Sequence, residues 1–405
     1  MQTHPILDHF TLSRPQLDAV LARGGDVAVT AGAGTGKTRT LVARYLALLA
    51  DGLPLRNIVA VTFTRKAARE MRNRVRQEIG RYLQQASLTG TEKQRWQAYY
   101  NELDASRIGT IHNLAAEIVR AHPAEAGIDP QFAVLDETQS ALLVQEAVEA
   151  ALAWAVETDE ALPLFDLLGE QQLLDLIATL LAKRLTVQEV RQKLPAETIF
   201  DHWQQQLQEA QGEAIDQFLA DPAFVAARQV LQQNQAHNPD DKAEAQRQLV
   251  LSALGGLAGQ SLPEQRRQLA ALDSINLAGG SQKSWPGGKE QLREVKEALK
   301  ELRALYRARP LLAQSLNDQD AAAAAAMPAI YQLFHFARDT YQKLKAEREG
   351  LDFDDLEALA IQLLANHETV CAYWQSQVKA LLVDEFQDTN ASQRHFLRLL
   401  APDPG

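Results

Sequence analysis

Two short runs hold the residues best placed to do chemistry, and both suit a nucleoside triphosphate. One is Ala31-Gly-Ala-Gly-Thr-Gly-Lys37-Thr38 near the N-terminus; the other is Asp384-Glu385 near the C-terminus. Gly32, Gly34 and Gly36 let the backbone turn tightly and bring its N–H groups up to phosphate oxygens with no Cβ in the way. A helix starting near Gly36 adds its dipole and unpaired N–H donors. The whole run of Ala31, Gly32, Ala33, Gly34, Thr35, Gly36, Lys37 and Thr38 is assigned to the nucleotide. Lys37 reaches the β and γ phosphates and the Thr38 hydroxyl ligates Mg²⁺. Asp384 holds the same Mg²⁺ through its water shell. Glu385 is the group to orient or deprotonate the attacking water. Plainer readings exist for each run alone: a glycine-rich strand–helix turn with a surface lysine, and a polar turn capping a helix from about Asn390. Position 31 also departs from the usual loop, with Ala where Gly is expected. The occurrence of both runs in one chain favours the triphosphate site.

These residues need elements to position them. Residues 26–30 read as a short buried strand and 37–49 as a helix with apolar residues at helical spacing. Residues 378–383 are apolar except for Lys379 and run straight into Asp384, so the carboxylates stand at a strand's C-terminal end, where doubly wound sheets bind ligands. Ser13 and Pro15 mark a helix start, and further strands are expected over 57–63 and near 106–110. From 136 to 349 the pattern is almost wholly helical, broken by Leu277-Ala-Gly-Gly-Ser281 and Trp285-Pro-Gly-Gly288. The run from Ala321 to Ala326 is good helix material without functional signal. Lys283, Lys289, Lys296 and Lys300 read as solvated surface. Strand character returns only at 378–383, so one α/β domain is discontinuous. It occupies 1–135 and 350–405, with an all-α domain of 136–349 inserted. The insertion's contacts are mostly local, so it can fold and move as a unit.

Charge points to a second ligand. The 405-residue chain carries a net charge of −11, yet residues 65–81 hold Arg65, Lys66, Arg69, Arg72, Arg74, Arg76 and Arg81 against only Glu70 and Glu78. A local basic track in an acidic protein suits a nucleic-acid backbone and predicts salt-dependent binding. Phe63 and His112, near strand ends, are the aromatic groups on which single-strand bases could stack. Taken alone, the basic run is equally the solvated face of an amphipathic helix, and His112 equally a hydrogen-bonding residue at a helix start. The single Cys371 excludes an internal disulfide and an all-Cys metal site and fits a reducing compartment. No leader pattern opens the chain and no apolar run approaches the ~20 residues that span a bilayer. A soluble cytoplasmic protein without a membrane partner is expected.

The chain resembles the superfamily 1 DNA helicases of the UvrD/Rep type, and within them the helicase–nuclease subunits of the AddA/RecB type. Asp384-Glu-Phe-Gln-Asp-Thr389 is similar to that family's second ATPase motif and 31–38 to its first, in which Ala at the opening position is common. Leu12-Ser-Arg-Pro-Gln16 resembles the segment whose Gln reads the adenine edge. Arg39 matches an Arg that stacks on adenine, and Gln387 falls within the nucleotide-binding set. Val61-Thr62-Phe63-Thr64-Arg65-Lys66 resembles the first single-strand DNA contact motif and Ile108-Gly-Thr110-Ile-His112-Asn113 the second. Leu351-Asp-Phe353-Asp354-Asp355 is similar to the segment preceding the Asp-Glu motif. The likeness is good over about 1–135 and 350–400 and weak between, where the long helical insertion itself carries the likeness to AddA/RecB.

The resemblance implies a RecA-like P-loop NTPase sheet, ATP and Mg²⁺ as cofactors, and 3′-to-5′ movement on single-stranded or 3′-tailed duplex DNA. It also implies a possible partner, a second helicase–nuclease subunit. Family members continue into a second RecA-like lobe, which supplies arginines worth about 10³–10⁵ in rate in well-studied NTPases. This chain ends about twenty residues after Asp384, at Pro402-Asp-Pro-Gly405, which reads as a fragment or one half of a split protein. Alone it is expected to bind ATP and DNA weakly, with little hydrolysis and no unwinding, since directional movement needs two lobes closing on ATP. The alternative is a module that binds ATP, DNA or a partner without turnover. A P-loop ATPase unrelated to nucleic acid leaves Thr62–Met71 and Thr110–Asn113 unexplained.

Overall fold

The computed structural model describes residues 4–30, 32, 35–85, 88–195, 198–257 and 259–401. Ala31, Ala33 and Gly34 of the glycine-rich loop, and the terminal Pro402-Asp-Pro-Gly405, lie outside the described residues. The chain divides into two compact units, one of residues 1–150 and 337–405 and the other of 151–336. The composition change at 135 and 350 does not coincide with that division, because the helices α7 (Glu137–Val156) and α16 (Asp318–Glu347) each run through it unbroken. What does lie at 135 and 350 is a two-stranded parallel ladder of β3 (Ala133–Val134) and β4 (Gly350–Leu351). Gly350 is required there, since a Cβ would stand 2.8 Å from Leu135 Cγ.

The first unit is built on a three-stranded parallel sheet ordered β2-β1-β5, with β1 Ile58–Thr62, β2 Arg107–Thr110 and β5 Ala380–Val383. Strand β1 is central and buried along its whole length. Its side chains alternate between two cores. Ile58 and Ala60 join Tyr45, Leu46, Val75 and Trp96 on one face. Val59 and Val61 join Ile118, Leu363, Trp374 and Phe396 on the other. Cover on both faces is why these strands read as continuous apolar runs. The first face is covered by α1 (Arg14–Leu21), α2 (Lys37–Ala50), α3 (Arg65–Gln85) and α4 (Gly90–Glu102). The second carries α5 (Ile111–Ala121), the short α6 (Pro123–Ala126), α17 (Phe353–Asn366), α18 (Glu368–Gln377) and α19 (Ala391–Leu400).

One expected element is missing. Residues 26–30 join no ladder, and Val27 and Val29 are 39% and 48% exposed. The alternating valines suit a strand, but a strand also needs an edge to pair with and a face to cover. Here the sheet ends at β5, whose outer edge has no ladder partner among the described residues.

The second unit is helical: α8 (Pro163–Leu168), α9 (Glu170–Ala182), α10 (Arg184–Lys193), α11 (Ile199–Ala220), α12 (Pro222–Gln233), α13 (Lys242–Gly255), α14 (Leu262–Leu269) and α15 (Gly288–Arg307), with the adjoining parts of α7 and α16. Phe218, Phe224, Leu231, Val250, Trp285, Val295 and Leu302 form its main core. Within it lies a buried ion pair. Arg247 grips Glu244 with two hydrogen bonds of 2.8 and 2.6 Å and donates a third to the Leu231 carbonyl, 2.7 Å away. Lys289, Lys296 and Lys300 of α15 line an open groove together with Leu277 and Leu292.

Candidate nucleotide and nucleic-acid site

The register of the sheet assembles the site. Thr62 pairs with Thr110 and Val61 with Val383, so Thr62, Thr110 and Asp384 stand in a row at the C-terminal ends of three adjacent parallel strands. The Asp384 amide continues the ladder to the Val61 carbonyl at 2.9 Å. Ligands of open parallel sheets bind at that end.

On the phosphate-loop side, Gly36 caps α2 with φ at +92°, a backbone conformation that side chains other than glycine rarely adopt. A Cβ there would also stand 3.4 Å from both Gln16 Nε2 and Arg39 Nη2. The two residues that the family resemblance assigns to adenine therefore meet over one glycine. Gln16 is already engaged: Ser13 N–H donates to its Oε1 at 2.8 Å, and its Nε2 donates to the Thr35 carbonyl at 3.0 Å. This amide ties the capped start of α1 to the loop. Thr35 closes the turn by donating to the Gly32 carbonyl at 2.7 Å. Lys37 and the half-buried Thr38 open α2.

Lys37 extends to the acidic pair, its Nζ standing 3.7 Å from Glu385 Oε2. Glu385 adopts φ of +52°, left-handed for a residue with a Cβ, and so stores strain of about 1–3 kcal/mol. Its carboxylate accepts a hydrogen bond from Gln387, and its carbonyl from the Asp388 amide at 2.9 Å. Burial, and then the Glu385 charge, raise the Asp384 carboxyl above its ordinary value while Lys37 pulls it down. Two neighbouring carboxylates supply oxygen donors, the kind a hard divalent cation accepts.

The nucleic-acid candidates divide into scaffold and surface. Thr62 is buried and donates to the Thr64 carbonyl at 3.0 Å; the Thr64 hydroxyl accepts the Ala67 amide at 3.0 Å and so caps α3. Between them Phe63 is 63% exposed. Arg65 and Lys66 follow, both exposed in the first turn of α3. Cations at a helix N-terminus oppose the dipole, so this placement has no local structural benefit and suits an anion docking there. The basic run does not form one continuous track. Arg72 donates to the Ile108 carbonyl at 2.6 Å, Arg76 pairs with Asp104 at 2.7 Å and Arg81 with Glu78 at 2.9 Å. Arg65, Lys66, Arg69 and Arg74 form no ion pair among the described residues.

Thr110 caps α5, accepting the Asn113 amide at 3.3 Å and donating to Asn113 Oδ1 at 3.0 Å. A cavity of about 210 Å³ opens beside this cap, lined in part by Arg72, Arg107, Gly109, Thr110 and Asn113. His112 is not an open stacking platform. Its ring lies flat on Phe353, centroids 4.3 Å apart at 6° between planes. Burial, and then the Arg65 charge, keep its pKa below the ordinary value, which favours the neutral ring.

Phe353 is a site residue that the motifs do not single out. It is the first residue of α17 and is set by a buried cluster behind it. Lys345, 1% exposed, reaches Asp352 at 3.1 Å and also pairs with Asp355. Tyr341 donates to Asp352 at 2.7 Å, and Asp352 accepts the Asp355 amide at 2.9 Å to cap the helix. Phe353 and both aspartates sit in the segment 351–355 that carries part of the family resemblance, so a signal exists there. Tyr341 and Lys345 share a helix face one turn apart and carry no motif.

A helix-rich protein with a small parallel sheet, bearing a glycine-rich loop and an acidic pair at one end of that sheet, is the class these features define. The chain belongs to the UvrD/REP helicase N-terminal domain family, which matches residues 12–405. It is similar to an ATP-dependent helicase/nuclease subunit of Syntrophomonas wolfei, 29% identical over 97% of this chain and 32% of that protein. The protein of the same description from Pelotomaculum thermopropionicum is 29% identical over 95% of this chain and 32% of its own length. That from Lactobacillus delbrueckii is 28% identical, over 95% and 34%. The chain spans about a third of the length of the curated relatives it matches. Among the described residues no helix is long and apolar enough to cross a membrane.

Proposed function

We propose that this chain is the ATP-binding lobe of an ATP-dependent DNA helicase or translocase of repair and recombination, built on a RecA-like sheet. The observation that carries the reading is the alignment of Thr62, Thr110 and Asp384 at the ends of three parallel strands, with Lys37 beside Glu385. Gly36 and the start of α2 bind the triphosphate, Lys37 its β and γ phosphates, and Gln16 and Arg39 the adenine. Thr38 and Asp384 would hold Mg²⁺, which would offset charge on the phosphates. Glu385 orients the attacking water and takes its proton, and Gln387 holds the Glu385 carboxylate. Single-stranded DNA crosses the same end of the sheet, its phosphates on Arg65 and Lys66 and the Thr110–Asn113 cap, a base on Phe63. The polarity implied by the family resemblance is 3′ to 5′, and the names of the relatives support a partner in the form of a second helicase–nuclease subunit.

A second reading, binding without turnover, is favoured by the Lys37–Glu385 ion pair, which engages the phosphate-binding lysine and the water-orienting carboxylate with each other. ATP hydrolysis and ligand binding by the chain, with and without single-stranded DNA and with Lys37→Ala as the blank, separate the two. Turnover lost in the variant and raised by DNA supports a motor lobe. Binding of both ligands without turnover above the variant supports the second reading. A chain that binds neither ligand contradicts both.

A further inference from the structure

Within the second unit, α15 segregates its charges by sign. Lys289, Arg293, Lys296 and Lys300 are spaced four, three and four residues apart, so they lie one above another on a single helical face. Glu290, Glu294, Glu297 and Glu301 repeat that spacing one residue later, about 100° around the helix. The helix thus has as many carboxylates as the row has cations, but sets them where two of the lysines do not meet them. The positions three and four residues from Lys296 hold Leu292, Arg293, Leu299 and Lys300, and those following Lys289 hold Leu292 and Arg293. Arg293 pairs with Glu290 and, at 4.0 Å, with Glu297, while Lys289, Lys296 and Lys300 form no ion pair among the described residues. Like charges at such spacing destabilise a helix, so the row brings α15 no local benefit. Beside it runs an open groove of about 310 Å³, with Leu277 and Leu292 in its lining. Leu277 is carried by the loop 276–281, which is tied to α13 and its cap: Gln246 Oε1 accepts the Asn276 amide at 2.8 Å, and the buried Asp241 accepts the Ser281 amide at 2.7 Å. Gly280, with φ of +92°, brings the loop onto α15, where a Cβ would stand 3.1 Å from Leu292 Cδ1. Both leucines are therefore held in place before anything binds, which lowers the ordering cost of binding.

We propose that this groove is a docking site for an acidic peptide segment of a partner protein, which seats a large apolar side chain against Leu277 and Leu292 and its carboxylates on Lys289, Lys296 and Lys300. The site goes beyond the function proposed above and does not depend on it, because every residue it uses lies in the second unit. Charge complementarity selects the sign of the occupant, since the lining sets four cations against Glu297 alone. The two leucines select its class. A nucleic-acid backbone would use the lysines and leave the half-buried leucines in water, whereas a peptide with apolar residues between acidic ones uses both. The volume lies at the low end of the about 300–1,000 Å³ of ligand pockets. From Lys289 to Lys300 the row rises about 16 Å, the length of about five residues of extended peptide.

The test is the fluorescence anisotropy of a labelled peptide, Asp-Asp-Leu-Phe-Asp-Asp, titrated with the whole 405-residue chain at low salt. Binding in the micromolar range is expected, weakening as salt rises. The same peptide with Ser in place of Leu and Phe is expected to bind at least about tenfold more weakly, the effect of leaving a large apolar side chain unburied. Lys289→Glu combined with Lys300→Glu is expected to weaken the first peptide by at least about tenfold. The melting temperature should not move, since both side chains are exposed and without an ion-pair partner among the described residues. Leu277→Ser is expected to weaken the apolar peptide and leave the serine peptide unchanged. A chain that does not bind the first peptide overturns the proposal. So does equal affinity for the two peptides, a result that needs no variant to fold and marks α15 as a solvated basic face. Displacement of the peptide by a duplex oligonucleotide whose own binding falls in the lysine variant also overturns it and assigns the groove to nucleic acid.

Discussion

Each unit buries a cluster of charge, and the two are built differently. In the helical unit, Glu244 and Arg247 sit three residues apart on α13, and the pair is closed by neighbours on hand: the Leu231 carbonyl, the Ala236 amide and Gln248. In the sheet-bearing unit, Lys345 of α16 reaches across to Asp352 and Asp355 at the start of α17, and that joint holds Phe353 against His112 beside the row of strand ends. Replacing a buried ion pair by well-packed apolar residues is often neutral or stabilising, while breaking one is costly. The first cluster is therefore expected to matter to folding, and the second also to the surface that holds His112 on Phe353.

The largest effect tests the first half of that contrast. Arg247→Ala leaves Glu244 uncompensated at 0% exposure and is expected to cost about 3–5 kcal/mol in denaturant unfolding, with ligand affinities of the surviving folded protein unchanged. Next, Lys345→Met is expected to cost about 1–3 kcal/mol, because Tyr341 and the Asp355 amide still satisfy Asp352. Unlike the first variant, it should also weaken single-stranded DNA binding. Stability loss without loss of DNA affinity would remove the distinction between the clusters. Phe63→Ala is expected to lower DNA affinity by about 1–3 kcal/mol and leave the melting temperature unmoved, since the ring is exposed. An unchanged affinity removes Phe63 from the interface.

The smallest effect concerns His112. Its folded pKa lies below the ordinary value, so the folded state resists the proton that the unfolded state accepts. The stability it contributes is complete above about pH 6.5 and is lost as pH falls through the lowered folded value. His112→Phe keeps an aromatic stack on Phe353 and should flatten the decline in melting temperature below about pH 6.5. An equally steep decline assigns the acid sensitivity to other groups.

Much of this arrangement is legible in the sequence, for reasons that also mark where legibility stops. Strands β1 and β5 show as apolar runs because both faces of the sheet are covered, and the caps at Ser13, Thr110 and Asn390 are local hydrogen-bonding patterns. Residues 26–30 have the same local pattern without the long-range partner, and no window of sequence reveals whether an edge is occupied. The joint of Tyr341 and Lys345 with Asp352 is a contact between α16 and the start of α17. A charged residue on an apolar helix face looks like any solvated one until its neighbours in space are known. Among the seven basic residues of 65–81, composition does not tell partnered from unpartnered side chains, and geometry gives Arg72, Arg76 and Arg81 protein partners.

If one end of the sheet in the first unit receives both ATP and DNA, both ligands must protect the strand ends. Hydrogen exchange of the chain with ATP and Mg²⁺, with single-stranded DNA, and with each ligand on Lys37→Ala reads this directly. Nucleotide-dependent protection is expected at 36–39 and 384–389, and at 26–30 as that exposed segment gains the free edge of β5. DNA-dependent protection is expected at 62–66 and 110–113, with no change in the helical core around Glu244 and loss of the nucleotide effect alone in the variant. Protection that spares the strand ends, or a nucleotide effect that survives Lys37→Ala, would contradict a shared site.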